Sequence, residues 1–179
     1  MHRNFLLEKL RSHTTSDAHE EKMRRNTIAF IEQHGNCFER SLSIGHITGS
    51  ALIVNAERTH TLLTHHFKLN KWLQLGGHSD GDPNTVNVAL REAQEESGIQ
   101  NIKILSENIF DVDMHLIPAR KSDPEHFHYD IRFLFEADSS LPFTVSRESN
   151  ELAWVELKKI EDYTQEESIL RMVRKLSSK

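Results

Sequence analysis

Apolar residues in the first 40 positions recur at the spacing of helices that bury one face. A short amphipathic segment carries Phe5, Leu6 and Leu10. A longer helix is predicted to follow Asp17, because Asp17 and Glu20 have capping-box spacing, and to stop at Gly35. The residues that this helix carries on its apolar side include Thr27, Ile28, Phe30 and Ile31. The chain is therefore predicted to open with two helices.

From residue 47 onward, short runs of β-branched and apolar residues replace the helical pattern. Strands are predicted over residues 50–54, 59–64, 72–75, 102–105, 110–117, 127–136 and 152–157, the third ended by the glycines at 76 and 77. A helix is predicted with Asp82 as its N-cap, Pro83 in its first position and Gly98 just past its end. Residues 165–176 form a closing amphipathic helix. Strands and helices that alternate in this way indicate an α/β or α+β layered domain.

Composition narrows the class of protein. The chain has 179 residues, which fits one domain, and its formal net charge of −5 argues against a general grip on nucleic acid or anionic membrane. Cys37 is the single cysteine, so a disulfide within the chain is excluded and a reducing compartment is favoured. No apolar run approaches the roughly 18 residues of a membrane span, and the N-terminus lacks a signal-peptide pattern. We expect a cytoplasmic protein.

Three glutamates on the predicted helix form the first candidate site. Glu92, Glu95 and Glu96 stand at positions i, i+3 and i+4, which places their carboxylates on one helix face. Like charges this close repel one another unless a cation neutralises them, and Mg²⁺ takes one or two carboxylates together with substrate phosphates. A solvated acidic helix face is the alternative for three glutamates considered alone.

The residues around these glutamates carry a more specific pattern. The stretch REAQEESGI, from Arg91 to Ile99, matches the second half of the Nudix box, and Gly77 occupies the first glycine of that box. The chain therefore resembles the Nudix hydrolase family. The resemblance implies an α/β/α sandwich around a mixed sheet, formed by residues 41–179. Residues 1–40 would be an N-terminal helical extension.

One position departs from the family pattern. The box has a glutamate six residues after its first glycine, and this chain has Pro83 there. Asp80 or Asp82 could supply a carboxylate nearby, although with a different geometry. Catalytic efficiency is therefore the property that Pro83 places in question.

The resemblance also implies roles for the box residues. Glu95 and Glu96 would be the main ligands of Mg²⁺ or Mn²⁺, and Glu92 would be a further ligand or the base that activates water. The carbonyl of Gly76 would add a ligand, and Arg91 would orient the carboxylates. The implied reaction is metal-assisted hydrolysis of a pyrophosphate linkage in a nucleoside diphosphate joined to another moiety X.

A second constellation follows from alternation in two predicted strands. Polar residues occupy one face of the strand at 126–136 and of the strand at 110–117, so a hairpin would bring those faces together. The predicted patch contains Asp113, His115, His126, His128 and Arg132. It would bind substrate, with Arg132, Arg120 and Lys121 near phosphate, or simply face solvent. His78 is a further candidate for substrate binding, and a histidine-based zinc site is another interpretation of the patch.

Three functions are compatible with these patterns. The leading one is a metal-dependent pyrophosphohydrolase that acts on a small phosphorylated, nucleotide-like substrate. A catalytically weak Nudix-fold binding or regulatory module is the second, favoured by Pro83 and by the N-terminal helices, which could also pack on a second subunit in a homodimer. An enzyme of the isopentenyl diphosphate isomerase type is disfavoured, because Cys37 lies upstream of the strand expected to carry its cysteine.

Overall fold

The computed structural model describes residues 2–119, 124–146 and 149–177. Two helices come first and a mixed set of strands with two further α-helices follows. The elements are α1 (Asn4–Ser12), α2 (Ala18–Gln33), β1 (Gly45–Val54), β2 (His60–His66), β3 (Lys71–Leu73), β4 (Leu75–His78), α3 (Thr85–Ser97), β5 (Lys103–Ile104), β6 (Asp111–Ile117), β7 (His126–Glu136), β8 (Ser149–Glu156), a 3-10 helix (Leu157–Asp162) and α4 (Glu167–Ser177). No helix among these ranges is long and apolar enough to span a membrane.

The strands form one eight-stranded mixed sheet with β1 at its centre. β1 runs parallel to β7 on one side and antiparallel to β2 and β4 on the other. β6 and β7 pair antiparallel, with His115 opposite His128 and Asp113 opposite Asp130. The predicted hairpin is therefore confirmed, and with it the shared polar face of the two strands.

Helices cover both faces of the sheet. Side chains of α3 such as Val86 and Ala89 share one core with Ile47 and Ala51 of β1. On the opposite face a second core joins β1 to Ile169 and Met172 of α4 and to the 3-10 helix. This arrangement confirms the predicted α/β/α architecture and its N-terminal helices.

The N-terminal helices belong to the same packing unit as the sheet. Leu6 and Leu10 of α1 and Phe30 and Ile31 of α2 are buried in the α3-side core, and Phe30 stacks on Tyr129 of β7 with ring centroids 4.0 Å apart. The division into residues 1–40 and 41–179 stays a prediction.

The start of the third helix differs from the prediction. Asp82 is not its N-cap: the Asp82 carboxylate accepts the N–H of Asn84, and Asn84 in turn caps Thr85–Ser97 by accepting from the N–H of Asn87. Aspartate side chains readily form such turns with the backbone two residues on, and this turn delays the helix past Pro83. Gly98 lies just past the end of the helix as predicted, and its backbone is left-handed, with φ of 73°.

The glycines at 76 and 77 continue a strand rather than ending one. They lie within Leu75–His78, which pairs with β1, so the single strand predicted at 72–75 is two strands that meet near Gln74. At Gly76 an added Cβ would overlap Ser50 of β1. Gly76 therefore lacks a side chain because its backbone lies against the backbone and the side chain of Ser50, and not because the chain turns there.

Glu20 is the other local correction. Asp17 caps α2 as predicted, but the Glu20 carboxylate does not complete a capping box. It is buried, and it binds His13 at 2.8 Å, Lys175 of α4 at 2.6 Å, the Thr15 hydroxyl, and the N–H of Val112 at 3.2 Å. Burial alone would raise the pKa of Glu20, but the hydrogen bonds from His13, Lys175 and Thr15 outweigh it and lower the pKa to about 2.

Glu20→Gln is expected to destabilise the protein by about 3–5 kcal/mol at neutral pH, because removing one member of a buried ion pair leaves the others uncompensated. The stabilisation from a lowered pKa is complete above the ordinary value of 4.5 and is lost as pH falls toward about 2. The variant should therefore also show a flatter loss of stability over that acidic range, in urea unfolding followed by circular dichroism. Glu21→Gln, which breaks surface pairs with Arg24 and Arg25, is the matched control and should cost much less. Equal effects of the two variants would contradict a buried ionised Glu20.

Candidate active site

The three glutamates of α3 lie beside the start of β4. Glu96 is 8% exposed, and its Oε2 accepts the backbone N–H of Gly76 at 3.2 Å. Glu92 is partly buried, whereas the Glu95 side chain is 63% exposed. The three carboxylates therefore differ in exposure. Glu96 is fixed against the strand, and Glu95 is open to solvent.

Arg91 connects this group to the strand. Its Nη1 lies 2.7 Å from Glu92 Oε1 and 3.8 Å from Glu95 Oε2, and its Nη2 donates to the carbonyl of His78 at 2.9 Å. These are the contacts that the predicted orienting role of Arg91 requires. Its contribution to catalysis stays a prediction.

Two glycines allow the helix to approach the sheet closely. A Cβ on Gly49 of β1 would lie 2.7 Å from the carbonyl of Thr85, so α3 rests directly on the β1 backbone. A Cβ on Gly77 would overlap the Glu92 carboxylate itself. Gly77 therefore makes room for the carboxylate that the sequence predicts as base or ligand.

Gly77→Ala is expected to lower kcat by about 100-fold with little loss of stability. The added methyl group meets the flexible end of Glu92 and displaces it, and a displacement of about 1 Å at a catalytic group can cost about 100-fold. Steady-state kinetics and thermal unfolding of the variant would measure both effects. Gly35→Ala is the matched control, because an added Cβ there has no atom within 4 Å. Full activity of Gly77→Ala would show that the position of Glu92 is unimportant.

The donor set fits a hard divalent cation. Three carboxylates are accompanied by one guanidinium, which leaves a net negative charge, and carboxylate oxygen is the ligand type that Mg²⁺ and Mn²⁺ prefer. Glu92, Glu95 and Glu96 could hold such an ion, with the carbonyl of Gly76 as the further ligand that the resemblance predicts.

The carboxylates near Pro83 are already engaged elsewhere. Asp80 forms a bidentate pair with Arg40 at 2.5 Å, and that pair lowers the pKa of Asp80. Asp82 is exposed and accepts from the N–H of Asn84. The contacts of both carboxylates therefore argue against their replacing the missing box glutamate.

Five histidines meet on the sheet face opposite α3. His46 of β1 pairs in register with His128 of β7, and His115 of β6 flanks His128 on its other side. His78 of β4 and His126 of β7 complete this group, which we call the histidine cluster. Contacting rings within it have centroids 4.8–5.5 Å apart.

The structure thus brings together the predicted residues His78, His126 and His128. It also adds His46, which the sequence reasoning missed because the first predicted strand began five residues too late. The alternation of His46, Thr48 and Ser50 with Ile47, Gly49 and Ala51 was the available signal.

The comparisons with known proteins identify the family of the chain. The NUDIX domain family model matches residues 46–176, which is well over half of the chain. The chain belongs to the Nudix family. No curated protein is similar to it in sequence.

The Nudix domain superposes on several solved structures. A C. elegans Ap4A hydrolase in a binary complex has a TM-score of 0.59 and 18% identity, over 74% of this chain and 95% of that chain. A NUDIX family hydrolase from Clostridium perfringens has a TM-score of 0.54 and 25% identity, over 74% and 96%. The E. coli dihydroneopterin triphosphate pyrophosphohydrolase has a TM-score of 0.55 and 11% identity, over 71% and 91%. Identities of 11% and 18% establish a shared fold alone.

The electrostatics of the histidine cluster bear on its predicted role in this Nudix protein. Burial and the imidazoles of His78 and His126 lower the pKa of His46 to about 4. Burial and the imidazoles of His115 and His78 lower the pKa of His128 to about 2. Both rings are therefore neutral at pH 7, and they lack the positive charge that attracts a phosphate.

Arg132 and Asp113, also predicted to bind substrate, lie in the interior of the Nudix domain. Arg132 is 2% exposed, and its guanidinium contacts Asp130 at 2.8 Å, Asp113 at 3.2 Å and Asp111 at 3.6 Å. Although burial raises the pKa of Asp113, Arg132 and His115 hold it well below its usual range. Arg171 of α4 covers the group through Asp111. This geometry favours a structural role for both residues over a contact with substrate.

The remaining predicted residues fall outside this picture. Arg120 and Lys121 lie outside the described residues.

A separate cavity of about 740 Å³ lies between α1 and α4, and its lining includes Lys9, Arg171 and Lys175. Lys9 contacts the carbonyl of Glu107, and the other two cations pair with Asp111. The residues that line this cavity include none of the α3 glutamates and none of the histidine cluster.

Proposed function

We propose that this Nudix protein is a metal-dependent pyrophosphohydrolase, which cleaves a phosphoanhydride bond in a small nucleoside diphosphate linked to another moiety. The arrangement that carries the proposal is the trio of Glu92, Glu95 and Glu96, with Glu96 anchored on Gly76 and Glu92 on Arg91. Carboxylates that only formed a solvated helix face would not need to contact the β4 backbone and the Arg91 guanidinium. The membership of the Nudix family supports the same chemistry.

The roles of the residues follow from their surroundings. A bound Mg²⁺ or Mn²⁺ ion would polarise the phosphoryl oxygens and lower the pKa of the attacking water. Glu95 and Glu96 would hold that ion, Glu96 from its fixed position against the strand and Glu95 from its exposed position on the helix. Glu92 accepts the proton as the water oxygen bonds to phosphorus and the phosphoanhydride P–O bond breaks. Arg91 keeps one oxygen of Glu92 engaged and thereby orients the other.

Two alternatives have different support. A binding or regulatory module is favoured by Pro83, because neither Asp80 nor Asp82 is placed as a substitute for the box glutamate. An enzyme of the isomerase type needs a reactive cysteine, and Cys37 is poorly suited to that role. Cys37 is fully buried in the core, and burial raises the pKa of its thiol to about 11.

A substrate panel tests the proposal. The purified protein would be incubated with nucleoside triphosphates, nucleotide sugars, ADP-ribose, dinucleoside polyphosphates and dihydroneopterin triphosphate, each with Mg²⁺ and with Mn²⁺, and the products followed by chromatography. The last two classes are included because the structural neighbours are named for them. We expect hydrolysis of at least one class, abolished by a chelator. Binding of nucleotides without turnover of any would overturn the hydrolase in favour of the binding module.

Location and assembly are proposed with the same function. A small phosphorylated substrate is consistent with the cytoplasm, which the cysteine content also favours. The N-terminal helices could pack on a second subunit in a homodimer, and sedimentation equilibrium of the whole chain would test whether they do.

A further inference from the structure

The histidine cluster has an unusual feature that hydrolysis by the α3 glutamates does not explain. His46 is 2% exposed, and neither of its ring nitrogens makes a hydrogen bond of good geometry with any of the described residues. A buried polar group without a partner costs about 1–3 kcal/mol, so buried polar groups are normally paired. Here the nitrogens of His46 lie among the rings of His78, His126 and His128.

The ligand atoms converge closely enough for one ion. One ring nitrogen each from His46, His78 and His128 lies within 4.8 Å of the other two. Three atoms with such separations all lie within about 2.8 Å of a common point, and Zn–N bonds are about 2.0–2.1 Å, so small ring rotations would close the gap. The Nε2 atoms of His126 and His128 are 3.3 Å apart. Two nitrogens bound to one tetrahedral zinc are separated by about the same distance.

We propose that His46, His78 and His128 bind a divalent transition-metal ion, with His126 as a fourth ligand and Zn²⁺ as the ion that fits the set best. Imidazole nitrogen suits zinc and its neighbours in the transition series, whereas Mg²⁺ and Ca²⁺ take oxygen ligands. This is a second metal site, with a different ligand chemistry from the α3 carboxylates.

The two sites lie on opposite sides of β4. Glu92 is placed against the face that Gly77 presents, and the His78 side chain leaves the strand from the other face because successive side chains alternate. Arg91 spans between them, since it contacts Glu92 and the carbonyl of His78. An ion on the histidines would therefore fasten β4 to β1 and β7 immediately behind the strand segment that supports Glu92 and Glu96.

Metal binding by the histidines can be measured without any substrate. The whole protein would be stripped with a chelator, and Zn²⁺ affinity determined by competition with a chromophoric chelator. The measurements would use a Glu95→Gln, Glu96→Gln background, so that the carboxylates do not hold the ion. We expect one tight equivalent of zinc, and at least a 100-fold weaker affinity in His128→Gln. Loss of a residue that merely supports a ligand already costs about 10–100-fold. His65→Gln, on β2 outside the cluster, is the matched control and should bind normally.

Two further measurements keep the proposal open to refutation if His128→Gln does not fold. His78→Asn alters a residue at the end of a short strand, and it should lose zinc as His128→Gln does. Co²⁺ added to the stripped protein should give the visible absorption bands of a tetrahedral nitrogen site, and should lose them in His78→Asn. Wild-type zinc affinity in a folded His78→Asn or His128→Gln protein, or no tight zinc in the parent protein, would overturn the site. Neither result depends on hydrolysis, so the two proposals fail separately.

Discussion

Replacing Glu95 with glutamine is expected to lower kcat by at least about 100-fold while the protein remains fully folded. The Glu95 side chain is 63% exposed and lies 3.8 Å from the Arg91 guanidinium, so the carboxylate adds little to stability. As a ligand of the catalytic ion it would contribute to the several kcal/mol that such an ion supplies, and each 1.4 kcal/mol or so corresponds to a factor of about ten in rate. Turnover of the best substrate in the panel, and calorimetric titration with Mn²⁺, would measure the change.

The chain offers a close control for this variant. Glu167 on α4 has the same side-chain exposure, 63%, and pairs with Arg174 as Glu95 pairs with Arg91. Glu167→Gln should leave kcat and Mn²⁺ binding unchanged. Glu96→Gln is less clean, because Glu96 is buried and accepts from the N–H of Gly76, although a glutamine oxygen could still accept there. Unchanged Mn²⁺ affinity and unchanged turnover in Glu95→Gln would remove Glu95 from the metal site.

Alternation and local motifs predicted much of this fold. The β6–β7 hairpin followed from two strands whose polar residues occur at every second position, because such strands bury their apolar faces in only one register. The family and the position of α3 followed from the Nudix box, whose residues are close together in sequence. The Asp17 cap and the left-handed Gly98 were likewise set by neighbours within a few residues.

Interactions between distant segments account for what the sequence did not predict. The Glu20 carboxylate binds Lys175, which is far away in the chain, and this ion pair forms in place of a local capping box. Asp82 had two local options, an N-cap or a turn with Asn84, and nothing in the sequence decided between them. Alternation placed Arg132 on the polar face of β7 but could not tell that α4 covers that part of the face.

The histidine cluster depends both on a local pattern and on contacts between distant segments. His126 and His128 were predictable from alternation along one strand, whereas His46 and His78 reach them through pairing of β1 with β7 and β4. A parallel pairing of strands 82 residues apart in sequence sets His46 beside His128. The register that makes this contact follows from the packing of the whole sheet and not from the residues near His46.

Arg132→Met is expected to lower the free energy of unfolding by about 3–5 kcal/mol, and to leave KM unchanged in the protein that folds. The methionine fills much of the space of the arginine stem, but Asp111, Asp113 and Asp130 lose a shared cation in a buried setting. Burial alone would lower the pKa of the Arg132 guanidinium. The three carboxylates outweigh burial and raise the pKa above its usual value, so they stabilise the charged form. Urea unfolding and steady-state kinetics would measure the two quantities.

Arg174→Met is the control for this variant, because Arg174 lies on α4 with an exposed side chain, and its loss should cost little. If Arg132→Met is too unstable to purify, Arg132→Lys keeps the charge and loses the planar fork, so an intermediate loss of stability is expected. Wild-type stability together with a raised KM in either variant would return Arg132 to the substrate site that the alternating strand pattern first predicted. A loss of stability with normal KM would confirm that Arg132 acts in the buried network and not on the substrate.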